Sequence, residues 1–160
     1  MIWKFALLII AVVTGAASQT VPCPNGYENF ADEGLAPVCL KFATTKKATW
    51  GEWLTMCQQD NGGHLAIVKG DLHGKIYQHI QNDQDLWDEA FWVGASDAEN
   101  EGQWVWTDGT PVDMGPPHWD PCDPPQPDGG TAQNYMCLWT PNFYFSSCLN
   151  SVTIYAICQI

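Results

Sequence analysis

The stretch TWGEWLTMCQQDNGGHLAIV, residues 49–68, carries the clearest structural signal in the chain. Thr49 is followed three residues later by Glu52, a capping-box pair that marks the start of a helix. The apolar residues that share one helical face are Trp50, Trp53, Leu54 and Cys57. Asn61-Gly62-Gly63 is typical of a helix end. The pattern therefore predicts a capped helix and then a short buried strand over residues 64–68.

The rest of the chain divides into an early helical part and a late strand-rich part. A second helix is predicted from Asp71, because Leu72, Ile76 and Ile80 are spaced four residues apart before Asn82-Asp83. After Ala90, short aromatic or β-branched runs alternate with turn residues; the runs are FWVGA, GQWVWTDG, NYMCLW and TIYAICQI. This order predicts an α+β fold.

The first residues have the pattern of a signal peptide. Lys4 precedes an apolar run over residues 5–13, and small residues follow up to Ser18. The run is shorter than the roughly 20 apolar residues that a membrane-spanning helix needs. We therefore expect a signal peptide at residues 1–18, one domain at residues 19–160, and a secreted protein that is not inserted in a membrane.

Composition narrows the range of partners and activities. The formal net charge is −12, which disfavours nucleic acids and anionic membranes and favours a neutral ligand, a cationic partner or a divalent cation. Four histidines are scattered without a catalytic motif beside them; they are His64, His73, His79 and His118. We expect surface or core histidines, and no enzymatic activity.

Taken together, these runs resemble the C-type lectin-like domain in its long form, in the right order from Cys23 to Cys158. Residues 23–42, CPNGYENFADEGLAPVCLKF, resemble its N-terminal hairpin, and residues 49–68 resemble its first helix and strand. FWVGASD resembles its Trp-Ile-Gly-Leu core motif, and EGQWVWTDG resembles the Trp-x-Trp segment that follows. The resemblance implies two helices flanking short antiparallel sheets, a long ligand-binding loop and a fold stapled by disulfides.

Seven cysteines in a secreted chain favour disulfides and leave at least one cysteine without a partner in the chain. The resemblance implies three pairs: Cys57 with Cys158, Cys137 with Cys148, and Cys23 with Cys39. Cys122 is then left over. It is a free, partly buried thiol, or it forms an intermolecular disulfide that links a dimer, or the pairing is different.

The segment over residues 108–131 is long and aperiodic, and loops of that length are usually functional or mobile. Its Gln126-Pro127-Asp128 triplet matches the galactose-type triplet of sugar-binding family members. There, loop side chains hold Ca²⁺ and two sugar hydroxyls complete its shell of six to eight oxygens. The resemblance implies Gln126 and Asp128 as calcium and carbohydrate ligands.

The chain departs from the family pattern at some of the expected oxygen ligands, so other residues are candidates to replace them. Tyr135 and Tyr144-Phe145 occupy positions where family members carry oxygen ligands. The candidate substitutes are Asp120, Asp123 and Asn134. Asp97 and Glu101 match an auxiliary calcium position.

Aromatic residues support an alternative to calcium. Tyr135, Phe143, Tyr144 and Phe145 could present an aromatic face to a ligand without metal, with Tyr144 also a candidate carbohydrate contact, whereas Trp119 and Trp139 are expected in the core. The main prediction is therefore a secreted recognition protein that binds galactose-type carbohydrate or a glycoprotein, with Ca²⁺, in innate-immune pattern recognition. The alternative is a calcium-independent module that binds a protein, ice or mineral.

Overall fold

The computed structural model describes residues 22–160 of the chain. The expected signal peptide, residues 1–18, lies outside these residues. Within residues 22–160, no helix has the length and apolar character needed to cross a membrane.

Two α-helices and eight strands are present in residues 22–160, which confirms the α+β prediction. The helices are α1, Trp50–Gln59, and α2, Leu72–Asn82. The strands are β1 Glu28–Asn29, β2 Cys39–Ala48, β3 His64–Leu65, β4 Phe91–Ser96, β5 Val105–Trp106, β6 Tyr135–Trp139, β7 Tyr144–Cys148 and β8 Ile154–Gln159. The Glu52 carboxylate accepts a hydrogen bond from the Thr49 backbone N–H at 2.9 Å, which is half of the predicted capping box. Asn61 and Gly62 take left-handed φ angles just after α1, as the stop signal predicts.

The strands form one sheet in the order β1-β2-β8-β4-β6-β7, with β3 paired to β8 and β5 to β4. All pairings are antiparallel except β4 with β8, which is parallel. Side chains alternate between the two faces of a strand, so Phe91 and Val93 of β4 pack with α2, while Trp92 packs with α1. The helices therefore cover opposite faces of the sheet.

Three disulfides tie these elements together. Cys57–Cys158 joins α1 to β8, Cys137–Cys148 joins β6 to β7, and Cys23–Cys39 closes the N-terminal hairpin. These are the pairs that the resemblance implies. Cys122 is the free cysteine of the described residues, and it is exposed rather than partly buried as expected.

Two expectations about aromatic residues are wrong. Phe143 and Phe145 do not belong to an exposed aromatic face, because both are buried in the core cluster under α2. Trp139 is 44% exposed and not buried. It shares a strand face with Cys137, but it is the last residue of β6, and Thr140 begins the turn that follows. Trp119 is buried, as expected.

Gly94 in the FWVGA run offers a test of this packing. A Cβ at position 94 would lie 2.5 Å from the carbonyl oxygen of Leu65, which is backbone and cannot move aside cheaply. Gly94→Ala should therefore lower the free energy of unfolding by about 2 kcal/mol or more. Chemical denaturation measures the change. The control is Gly51→Ala in α1, where a Cβ meets open space and stability should stay equal or rise slightly. Equal stability of the two variants would contradict this packing.

Candidate functional site

The loop that carries the Gln-Pro-Asp triplet is hydrogen-bonded to Ser147 of β7. The Gln126 side-chain oxygen Oε1 accepts hydrogen bonds from the Ser147 backbone N–H and from its hydroxyl, each at 2.8 Å. The Asp128 backbone N–H donates to the Ser147 hydroxyl at 3.3 Å. One strand residue thus orients both ends of the triplet, and the Gln126-Pro127 peptide between them is cis.

A second set of bonds holds the loop upstream of the triplet. The Asp120 backbone N–H donates to the Phe145 carbonyl at 3.1 Å, and the Gln126 backbone N–H donates to the Asp120 carbonyl at 2.9 Å. The Asp120 carboxylate also accepts the Cys122 N–H at 2.9 Å. Its hydrogen bond to the Cys122 thiol raises the pKa of that thiol, which keeps the thiol protonated and less nucleophilic.

An open groove of about 340 Å³ lies beside the triplet. Its lining includes Asp120, Gln126, Trp139, Ser146, Leu149 and Val152. The Trp139 indole therefore lies in the same groove as the Gln126 amide. An exposed aromatic ring next to fixed polar groups is the usual composition of a small-molecule site.

Some polar groups in the groove can still form hydrogen bonds to a ligand, because their internal hydrogen bonds do not use every donor and acceptor. Gln126 Nε2 carries two hydrogens, and one is donated to Asp128 Oδ1 at 2.7 Å. The other hydrogen can serve a ligand. The Asp120 carboxylate adds further acceptor sites at the same groove.

The internal hydrogen bonds of the triplet use oxygens that a Ca²⁺ ion bound there would need. Gln126 Oε1 is occupied by two donors from Ser147, and Asp128 Oδ1 is bonded to the Gln126 amide. Phe145, at one of the missing ligand positions, is a buried aromatic residue. Asp123 does not line the groove. Within residues 22–160, no group of three or more His, Cys, Asp or Glu residues is arranged to hold a metal ion.

Asp97 and Asn134 lie together at a different place, where β4 and β6 adjoin. The Asp97 backbone N–H donates to the Asn134 carbonyl at 3.2 Å. Asp97 is only 4% exposed, and one carboxylate oxygen accepts the Gly102 N–H at 2.9 Å. The other oxygen, Oδ1, is buried without a hydrogen-bond donor, and so is Asn134 Oδ1. Each of these oxygens is of a type that Ca²⁺ binds, so the donor type fits, although Glu101 is exposed.

Tyr144 lies in a third place, a pocket of about 450 Å³ that also contains His73, Tyr77 and His118. The predicted site residues therefore do not form one cluster. The structure brings Gln126, Asp128 and Asp120 together, joins Asn134 to Asp97, and places Tyr144 apart from both groups.

Comparison with known proteins identifies the family. A model of the Lectin C-type domain matches residues 46–160 of the chain. The chain belongs to the C-type lectin domain family. The match begins at residue 46, within β2, and runs to Ile160, just after β8.

The lectin domain is similar to several known proteins. Human C-type lectin domain family 4 member A is 27% identical over 106 residues, covering 66% of this chain and 40% of that protein. The type-2 ice-structuring protein of Hemitripterus americanus is 30% identical over 106 residues, covering 65% of this chain and 57% of that protein. The structure of a mouse scavenger receptor C-type lectin carbohydrate-recognition domain matches with a TM-score of 0.66 and 25% identity, over 86% of this chain and 95% of that chain. This chain thus spans only 40% and 57% of the two curated relatives.

Three features of the domain were missed by the sequence analysis. Trp139 could have been placed outside the core, because it precedes a Thr-Pro turn. Ser147 has no distinguishing local signal. The contact of His73 Nδ1 with His118 Nδ1, at 2.9 Å, joins residues 45 positions apart, which no local spacing predicts.

His73 should make the stability of the domain depend on pH. It is 8% exposed, and burial lowers its pKa below the ordinary value of 6.5. Above that pH both the folded and the unfolded chain hold the imidazole neutral, so its contribution is constant. As the pH falls further, the unfolded chain takes up a proton that the folded chain resists. The free energy of unfolding should then decrease, by at most about 1.4 kcal/mol per pH unit.

Urea denaturation of the wild type and of His73→Phe between about pH 7 and pH 5 measures this contribution. The phenyl ring preserves the stacking on Phe145 and does not titrate. The variant should lose less stability than the wild type over this range. Parallel curves for the two proteins would show that the folded state does not resist protonation of His73.

Proposed function

We propose that this lectin domain binds carbohydrate in the groove formed by Gln126, Asp120 and Trp139, and that the preferred unit is galactose-like. The observation that carries the proposal is the exposed Trp139 indole in one groove with an amide that Ser147 holds in place. One face of a galactose ring presents contiguous C–H groups, and such a face packs well on an indole. Its hydroxyls can accept from the second Gln126 N–H and donate to Asp120.

In this proposal calcium does not bridge the protein to the sugar. The Gln126 oxygen that would bind the ion already accepts two hydrogen bonds. Calcium instead has a structural role at Asp97 and Asn134, where two buried oxygens have no donor. The remaining ligands would come from water and from exposed groups nearby, because two oxygens are fewer than the six to eight that Ca²⁺ takes.

The biological role that we propose is recognition of glycans or glycoproteins outside the cell, in an innate-immune setting. The expected signal peptide and three disulfides support an oxidising extracellular location. The net charge of −12 supports neutral rather than anionic ligands. The proposal assigns no catalytic step to the domain.

A second candidate is binding to ice, and it is favoured by the 30% identity to the ice-structuring protein. Ice recognition would use a flat surface and would not require the groove. Measurement of thermal hysteresis distinguishes the two functions, because sugar binding alone does not depress the freezing point below the melting point.

Retention on galactose resin tests the groove directly. The wild type should be retained in the presence of a chelator and eluted by free galactose, because the contacts use no metal. Trp139→Ala should lose retention, since it removes the stacking surface. The matched control is Trp87→Ala, which removes an indole with the same 44% exposure from outside the groove.

Loss of retention in chelator would contradict the metal-free contact. Equal retention of Trp139→Ala and Trp87→Ala would contradict the position of the groove.

Calcium should act on stability rather than on sugar binding. Millimolar Ca²⁺ is expected to raise the Tm of the wild type but not of Asp97→Asn, which keeps the shape and loses the charge. Asp123→Asn is the control, because it removes one exposed acidic charge from the loop, and its Tm should still rise. Differential scanning calorimetry measures the three proteins. If the Tm of the wild type does not change when calcium is added, this site is ruled out.

A further inference from the structure

A second pocket adjoins the groove across the turn between β6 and β7. Its volume is about 450 Å³, and its lining includes Tyr77 of α2, Pro117 and His118 of the preceding loop, and Tyr144. Asn142, in the turn itself, lines both this pocket and the groove beside Gln126. The groove and this pocket therefore share a wall residue at the turn.

Hydrogen bonding determines which nitrogen of His118 is free. The Phe143 carbonyl can only accept, so His73 Nε2, at 2.7 Å from it, must carry a hydrogen. His73 is buried and neutral, which makes its Nδ1 an acceptor. His118 Nδ1, at 2.9 Å from that atom, must therefore be the donor. When His118 is neutral, its Nε2 is a bare acceptor in a residue that lines the pocket.

The chemistry of the lining indicates a neutral, hydroxylated ligand. His118 Nε2 accepts, the phenol groups of Tyr77 and Tyr144 donate and accept, and the Asn142 amide does both. No carboxylate and no lysine is among the lining residues of this pocket. The Tyr77 ring is 41% exposed, which provides a surface for stacking on a sugar.

We infer that this pocket is a second sugar subsite, so that the lectin binds an oligosaccharide across the β6–β7 turn and not a single monosaccharide. This inference rests on the proposed function of the groove. The first unit lies against Trp139, the chain passes Asn142, and the next unit lies against Tyr77 and His118. Both subsites act without a metal.

Isothermal titration calorimetry with galactose and with a panel of galactose-terminated di- and trisaccharides tests the inference. At least one oligosaccharide should bind the wild type about tenfold more tightly than galactose, which is the gain expected from one added aromatic stacking contact. Tyr77→Ala should reduce the affinity for that oligosaccharide to the affinity for galactose. The affinity for galactose itself should not change. Tyr77→Phe should retain most of the gain. Leu35→Ala removes a residue that is also exposed and lies outside both pockets, so it should change neither affinity.

NMR of the histidine ring nitrogens provides an independent signal. In the free protein His118 should have the Nδ1–H tautomer, and its Nε2 resonance should shift when the oligosaccharide is added and not when galactose is added.

Three results overturn the subsite. If galactose binds but no oligosaccharide binds more tightly, or if Tyr77→Ala weakens both by the same factor, the subsite is wrong and the groove remains. If neither galactose nor any oligosaccharide binds, the groove and the subsite are both wrong.

Discussion

The candidate site depends on the hydrogen bonds that Ser147 makes to Gln126. The loop around the triplet has no helix or strand of its own between β5 and the short 3-10 turn at Gly130–Ala132. The position of the loop therefore depends on its hydrogen bonds to the rest of the domain. Ser147 forms hydrogen bonds with both Gln126 and Asp128. Ser147 itself is held in β7, which is paired to β6 and joined to it by Cys137–Cys148. A rigid hairpin thus fixes the shape of an otherwise irregular loop.

The same bonds determine what kind of recognition is possible. The Gln126 amide oxygen has both lone pairs occupied by hydrogen bonds from Ser147, so in the proposed function the triplet acts as a hydrogen-bonding surface. The aromatic residues that replace the missing oxygen ligands also have a structural effect. Phe145 packs with His73, His118 and Trp119 and fills the core behind the second pocket. A position where the family resemblance implies an oxygen ligand is thus part of the aromatic core in this chain.

Local patterns predicted the elements well and the site poorly. The capping pair at Thr49 and Glu52 and the four-residue spacing in α2 are properties of single helices, so the sequence alone reveals them. The disulfide pairs followed from family resemblance. Trp139 was assigned to the core because a strand-like run is apolar, yet burial also requires a covering element. The Ser147–Gln126 and His73–His118 contacts join residues 21 and 45 positions apart and exist only after the sheet has formed.

In the proposed complex, sugar contacts the Trp139 indole and the Gln126 amide without calcium. Titration of ¹⁵N-labelled protein with galactose in the presence of a chelator, followed by heteronuclear NMR, tests these contacts. The largest shifts should occur at the Trp139 indole N–H and the Gln126 side-chain NH₂, with the Trp87 indole unchanged. Shifts that appear only after calcium is added, or that leave both of these groups unmoved, would contradict it.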